Sequence, residues 1–123
     1  MTDILVIDDD ELVREMLQEL LRRAGYEVSA CADGLSGVEF MKEDPAKLVI
    51  TDIIMPEQEG VETIQILTRD FPDTKIIAIS GGGQNKPENY LPLAEKFGAS
   101  KTFAKPFVNQ DLLDAVAELL GSS

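Results

Sequence analysis

Asp8, Asp9, Asp52, Ser80 and Lys105 are the residues of this 123-residue chain whose types could do chemistry together. Each one follows or closes a short apolar run: Asp8 and Asp9 after ILVI, Asp52 after LVIT, Ser80 at the end of KIIAIS and Lys105 at the end of KTFAK. Carboxylates suit Mg2+, a hard cation that takes oxygen ligands and keeps several waters. A hydroxyl and an ammonium beside that cation suit the oxygens of a phosphoryl group. Four acids stand in a row at Asp8, Asp9, Asp10 and Glu11. Like charges repel, so either these acids are solvated or something positive sits among them. A divalent cation is the expected occupant.

Taken singly, each residue also has an ordinary structural role. Asp10 and Glu11 read as a helix cap and a first-turn acid, both favoured by the helix dipole. Asp8 and Asp9 alone could form a solvated turn, and Asp52 could be a turn residue. Ser80 could close a strand, and Lys105 could pair with any surface acid at little gain. What carries the functional reading is that all five sit at strand ends. Gly81, Gly82 and Gly83 resemble a phosphate-cradling loop, but no Lys and Ser/Thr follow them, so a mobile loop is expected instead. Phe103 and Tyr90 read as packing residues, and Cys31 as a small buried hydrophobe.

The elements that must position these groups alternate along the chain. DILVID (3–8) suits a strand buried on both faces. Leu12, Val13, Met16, Leu17, Leu20, Leu21 and Ala24 recur at helical spacing after Asp10, and Gly25 stops that helix. YEVSAC (26–31) alternates like a strand near a sheet edge. A second helix is expected from near Asp33 to before Pro45. KLVIT (47–51) is a buried strand, followed by a helix over about 59–70 and by the strand KIIAIS (75–80). A helix from about Pro87 to Phe97 and the strand KTFAK (101–105) come next. Asn109 is expected to cap a last helix with Leu112, Leu113, Val116, Leu119 and Leu120 on one side. Five β–α units of this kind imply an α/β fold, with a parallel five-stranded sheet and helices on both faces. Ligands of such sheets bind outside the carboxyl ends of the strands.

Composition removes several function classes. The net charge is −12, with 11 Lys+Arg against 23 Asp+Glu. No basic stripe for nucleic acid can be built from that balance, and an anionic membrane surface is disfavoured for the same reason. The chain has no histidine, which removes Ser-His-Asp and Cys-His catalysis, most zinc sites and any role as a phosphohistidine donor. One cysteine allows no internal disulfide, which fits a reducing cytoplasm. No signal-peptide pattern opens the sequence, and no apolar run has the length of a spanning helix. At 44% hydrophobic, and with the length of one domain, the chain can bury a core, and 1–123 is expected to be a single domain.

The segments LVIDDDELVREML, LVITDIIMPEQEG, IIAISGGG and FGASKTFAKPF resemble, in order and spacing, the receiver domain of bacterial response regulators. The resemblance covers nearly the whole chain. It implies a doubly wound, flavodoxin-like (βα)5 sheet of strand order 2-1-3-4-5. It also implies a phosphoacceptor switch of two-component signalling, not an enzyme beyond its own phosphorylation and dephosphorylation. By the same resemblance Asp52 is the phosphoacceptor, taking its phosphoryl group from a sensor histidine kinase or phosphotransfer protein. Asp8, Asp9, Asp52 and the backbone carbonyl of Ile54 would hold Mg2+, Lys105 would pair with the phosphoryl oxygens, and Ser80 would be the switch hydroxyl. Pro106 would follow a cis peptide. The expected form is a monomer, with dimerisation on phosphorylation left open.

Three departures from the family pattern affect the expected switch. Thr102 stands where an aromatic residue is frequent, so signal transmission is expected to run through Phe103 or the 81–89 loop. GGGQNKPEN (81–89) lengthens the segment between Ser80 and Lys105. Ile54 puts an apolar side chain two positions past Asp52, with an effect on phosphoryl lifetime.

Other readings differ in class. No output domain follows the last helix, so output is expected through contact with another protein. A module cut from a larger or hybrid-kinase protein is the alternative, and Met1 favours the stand-alone form. An Asp-nucleophile phosphatase would use Asp8 and Asp10, which have Asp-x-Asp spacing, but it leaves Asp52 and Lys-Pro-Phe unexplained. A phosphorylation-independent binding module would not need the five-residue set. A Rossmann nucleotide site is disfavoured because acids, not Gly-x-Gly-x-x-Gly, follow the first strand.

Overall fold

The computed structural model describes residues 2–53, 59–80, 95–96, 98–104 and 107–121. Five strands are found: β1 (Ile4–Ile7), β2 (Val28–Cys31), β3 (Leu48–Asp52), β4 (Lys75–Ser80) and β5 (Lys101–Ala104). Between and after them lie the helices α1 (Glu11–Arg23), α2 (Gly34–Glu43), α3 (Glu59–Asp70) and α4 (Asn109–Leu120). All the strand pairs are parallel and the order is β2-β1-β3-β4-β5, as the family resemblance implied. The helix expected over Pro87–Phe97 lies outside the described residues, apart from Glu95 and Lys96, which are helical. Gly81–Gly83, the 81–89 loop, Tyr90, Lys105 and Pro106 lie outside them too.

Period-two alternation divides the core between the two sheet faces. Leu5, Ile7, Val49, Ile76 and Ala78 join Val38 and Met41 of α2 and Ile64 and Leu67 of α3. Ile4, Val6, Leu48, Ile50, Ile77 and Ile79 join Leu17 and Leu21 of α1 and Leu112, Ala115 and Val116 of α4. Buried aliphatic side chains of this kind each contribute about 1.5–3 kcal/mol on transfer from water. At one place the layers need a glycine. A Cβ at Gly37 would come within 2.9 Å of Ile7 Cγ1, so α2 lies on β1 with no room for a methyl group.

Local capping sets where α1 begins and ends. The Asp10 carboxylate accepts from the amides of Leu12 (3.0 Å) and Val13 (3.4 Å). At the other end Gly25 takes a φ of 100°, open to glycine at little cost. The Gly25 amide donates to Arg22 O (2.9 Å) and that of Tyr26 to Leu21 O (3.2 Å), the paired bonds of a Schellman closure. The apolar face is narrower than the spacing suggested: Leu12 is 76% and Met16 43% exposed, while Leu17 and Leu21 are buried.

The last helix corrects one expectation. Asn109 is its first residue and not its cap. Val108, with extended φ −80° and ψ 127°, occupies the cap position without a side-chain bond. Its carbonyl accepts from Asp111 N (3.0 Å) and Leu112 N (3.3 Å), so the turn closes through the main chain. Leu112 and Val116 are buried as expected, and Leu113, Leu119 and Leu120 are half-buried.

Candidate functional site

The register of the sheet brings the sequence-predicted acids together. β1 and β3 are neighbours, with Ile7 paired to Thr51, so Asp8 and Asp52 follow at the same level. Asp9 continues the turn out of β1. One carboxylate oxygen from each of Asp8, Asp9 and Asp52 lies within 4.8 Å of the others. Asp8 is 2% and Asp52 6% exposed, whereas Asp9 faces solvent. The cluster is thus closed on the sheet side and open on the other.

Ser80 ends β4, one position beyond Ile79, the residue paired with Asp52. It is fully buried, and its Oγ has no hydrogen-bond partner among the described residues. Buried hydroxyls are usually partnered, so one left over beside a carboxylate cluster is a donor held ready. Its own pairing partner on β5 is Ala104, and Lys105 is the next residue in the chain. Lys105 and Ile54, the remaining expected members, lie outside the described residues. Thr102 donates to Glu95 Oε1 at 3.2 Å, whereas Phe103 belongs to the opposite layer and packs on Phe107, ring centroids 5.9 Å apart.

Both the main chain and the side chain of Asp8 are held. Its amide donates to Cys31 O (3.2 Å), its Oδ1 accepts from Asp10 N (2.9 Å) and its carbonyl accepts from Arg14 Nη1 (2.8 Å). Asp10, by contrast, spends its carboxylate on the α1 amides and is no member of the cluster, which counts against the Asp8/Asp10 phosphatase reading. Arg14 escaped the sequence reading. The available signal was its position one turn into α1, on the side that turns back toward Asp8. Burial, and then the Asp33 carboxylate, push the half-buried Cys31 thiol up, and Arg14 pulls the other way.

These residues fit Mg2+. Three hard carboxylate oxygens within reach of a single ion, one side open for water, are the donor set that ion prefers. An orphaned hydroxyl beside them suits a further anionic oxygen. Among the described residues no helix is long and apolar enough to cross a membrane.

Residues 4–117 match the family described as the response regulator receiver domain. The chain is 34% identical over 122 residues to the response regulator receiver protein CpdR of Brucella abortus (strain 2308), a match covering 98% of each chain. It is 35% identical over 114 residues to the chemotaxis protein CheY of Thermotoga maritima, covering 92% of each. A crystal structure of a response regulator receiver domain protein from Clostridium thermocellum superposes with a TM-score of 0.87 at 28% identity, over 98% of this chain and 95% of that one.

Proposed function

The chain belongs to the response regulator receiver domain family of two-component systems, and from that premise we propose that it is a phosphoacceptor switch with Asp52 as its acceptor. A carboxylate oxygen of Asp52 attacks the phosphorus of a phosphohistidine on a sensor histidine kinase or phosphotransfer protein. The P–N bond breaks, the imidazole leaves with the electron pair, and an acyl phosphate forms on Asp52. Residues 1–123 contain no histidine, so the phosphohistidine lies outside this domain. Hydrolysis reverses the state: water attacks phosphorus and the Asp52 carboxylate leaves. The chain therefore catalyses only its own phosphorylation and dephosphorylation.

Asp8, Asp9, Asp52 and the Ile54 carbonyl are the proposed holders of Mg2+, which when bound neutralises charge on the transferring oxygens. Lys105 pairs with a phosphoryl oxygen, and the Ser80 hydroxyl donates to another. The carrying observation is the convergence of Asp8, Asp9 and Asp52 beside the Ser80 hydroxyl, which has no partner among the described residues. The proposal takes residues 1–123 as one receiver domain in the cytoplasm, which signals by presenting a changed surface to another protein.

Mass spectrometry after incubation with Mg2+ and acetyl phosphate tests this reading. One phosphoryl group per chain is expected, mapped to Asp52, and lost in Asp52→Asn. Full labelling of Asp52→Asn removes Asp52 from the role, and many turnovers of donor per chain without a labelled protein point to a phosphatase instead.

A further inference from the structure

Arg14 is a half-buried arginine that the proposed phosphotransfer does not use. It leaves the first turns of α1 and reaches back to the main chain of Asp8, donating from Nη1 to the carbonyl oxygen at 2.8 Å. That carbonyl lies at the start of the turn from which the Asp8 and Asp9 side chains both project. We propose that Arg14 is a positioning residue for the carboxylate cluster: its bond to the Asp8 carbonyl fixes the β1–α1 turn so that Asp8 and Asp9 face Asp52. The proposal rests on the reading that these three carboxylates take Mg2+.

The geometry supports a positioning role in two ways. First, the restraints on Asp8 come from different elements. Cys31 O, at the end of β2, holds the amide, and Arg14, on α1, holds the carbonyl. Asp10 N holds Oδ1 from within the turn. Asp10 caps the amides of Leu12 and Val13, but that bond lies beyond Asp9; without Arg14 the Asp8 carbonyl loses its bond to α1, and Asp9, which is solvent-exposed, has the most freedom to swing away from the pair. Second, arginine suits the task chemically. Its planar fork delivers a directed donor at the end of a long stem, where a lysine ammonium ends nearer the backbone and points less specifically. Groups that orient metal ligands in this way commonly matter about 10–100-fold for metal affinity.

A role through charge alone makes the opposite prediction. A guanidinium near the cluster repels a divalent cation, so its removal tightens Mg2+ binding. Loss of positioning loosens it. The sign of the change therefore separates the two.

The molecule also supplies a control. Arg22, on the same helix, donates from Nη2 to Val28 O at 3.2 Å, the same kind of side-chain bond to a main-chain carbonyl at the far end of α1. Arg14→Met and Arg22→Met each keep an apolar stem and remove one such bond.

The test is a Mg2+ titration of the full chain, followed through the amide NMR signals of Asp8, Asp9 and Asp52. Amide exchange at Asp10 is measured in the ion-free protein. Arg14→Met is expected to raise the Mg2+ Kd about 10-fold and to speed exchange of the Asp10 amide. Arg22→Met is expected to leave both unchanged although it too lowers stability. Arg14→Lys keeps the charge and is expected to loosen Mg2+ by a smaller factor; it serves as the deciding variant if Arg14→Met does not fold. Unchanged or tighter Mg2+ binding in Arg14→Met, or in Arg14→Lys where that variant decides, overturns the proposal. So does equal loosening by Arg14→Met and Arg22→Met. If wild type shows no Mg2+ binding, or binds no better than Asp8→Ala/Asp9→Ala, the metal-site reading itself is what fails.

Discussion

Ser80 is the residue at which stability and function pull apart. A fully buried hydroxyl that lacks a partner among the described residues carries a desolvation cost of about 1–3 kcal/mol. Ser80→Ala removes that cost, so urea unfolding of the unphosphorylated protein should show a gain of about 1 kcal/mol. The same variant should gain less stability than wild type from beryllofluoride, which mimics the phosphoryl group on Asp52. A loss of stability on Ser80→Ala would show that the hydroxyl already makes a bond the fold depends on. Cys31 offers a second measurement at this scale. Burial, followed by the Asp33 charge, raises its pKa above the usual thiol value. Only the thiolate reacts, so at neutral pH alkylation should be slower than for a free thiol. Asp33→Asn keeps an oxygen for capping α2, where Asp33 now accepts from Ser36 N at 2.7 Å, but removes the charge. The pH–rate curve of alkylation should then move to lower pH; a curve that stays put would remove Asp33 as a contributor.

Among the elements, α2 meets the site-bearing strand β1 at a glycine. Gly37 lies on Ile7, the residue before Asp8, and both are buried. Two effects compete in Gly37→Ala. The helix gains up to about 1 kcal/mol from alanine's propensity, and the added methyl overpacks the α2–β1 contact at about 1–3 kcal/mol. Overpacking is expected to win because Ile7 is fully buried, so its side chain must be displaced within the core to admit the methyl. Net destabilisation of about 1–2 kcal/mol is expected, read as a lower urea midpoint at unchanged slope, with Mg2+ affinity falling as β1 shifts. A more stable Gly37→Ala protein would mean that the two layers separate freely. The acids of α1 divide by role at this scale as well: Asp10 belongs to the helix end, and Asp8 and Asp9 to the sheet end.

At the scale of the molecule, phosphorylation would add roughly two negative charges to a chain already at −12, beside Ser80, which Gly81–Gly83 follow in the sequence. Glycine resists backbone rearrangement least, so movement of Ser80 toward the phosphoryl group should propagate into the segment that follows it. The change is a shift between two arrangements, driven by their difference in phosphoryl affinity. Hydrogen exchange with and without beryllofluoride should show protection rising in 81–90 and around 90–97. The helix at 11–24, anchored by buried Leu17 and Leu21, should stay nearly unchanged. Bound beryllofluoride with no altered exchange in 81–97 would send the signal out by another surface. Thr102 bonds Glu95 and carries no ring, so the outer face of β5 has no aromatic gate at that position.

Residue order alone accounts for the alternation of strands and helices, the cap at Asp10, the stop at Gly25 and the identity of the acids at the strand ends. These are local matters: apolar period, capping chemistry and φ preference act within a few residues of one another. It did not determine strand order by pattern alone, since any order buries the same runs; the order came from family resemblance. That β1 and β3 are neighbours, and so that Asp8 and Asp52 lie level, follows from how the strands pair in the folded sheet. Docking likewise leaves Leu12 and Met16 exposed while Leu17 and Leu21 are buried, because helical spacing marks an apolar face but not how much of it the sheet covers. Arg14 belongs to the same class. A long side chain on an amphipathic helix can lie anywhere on its rim, and its bond to Asp8 exists only once β1 and α1 have docked.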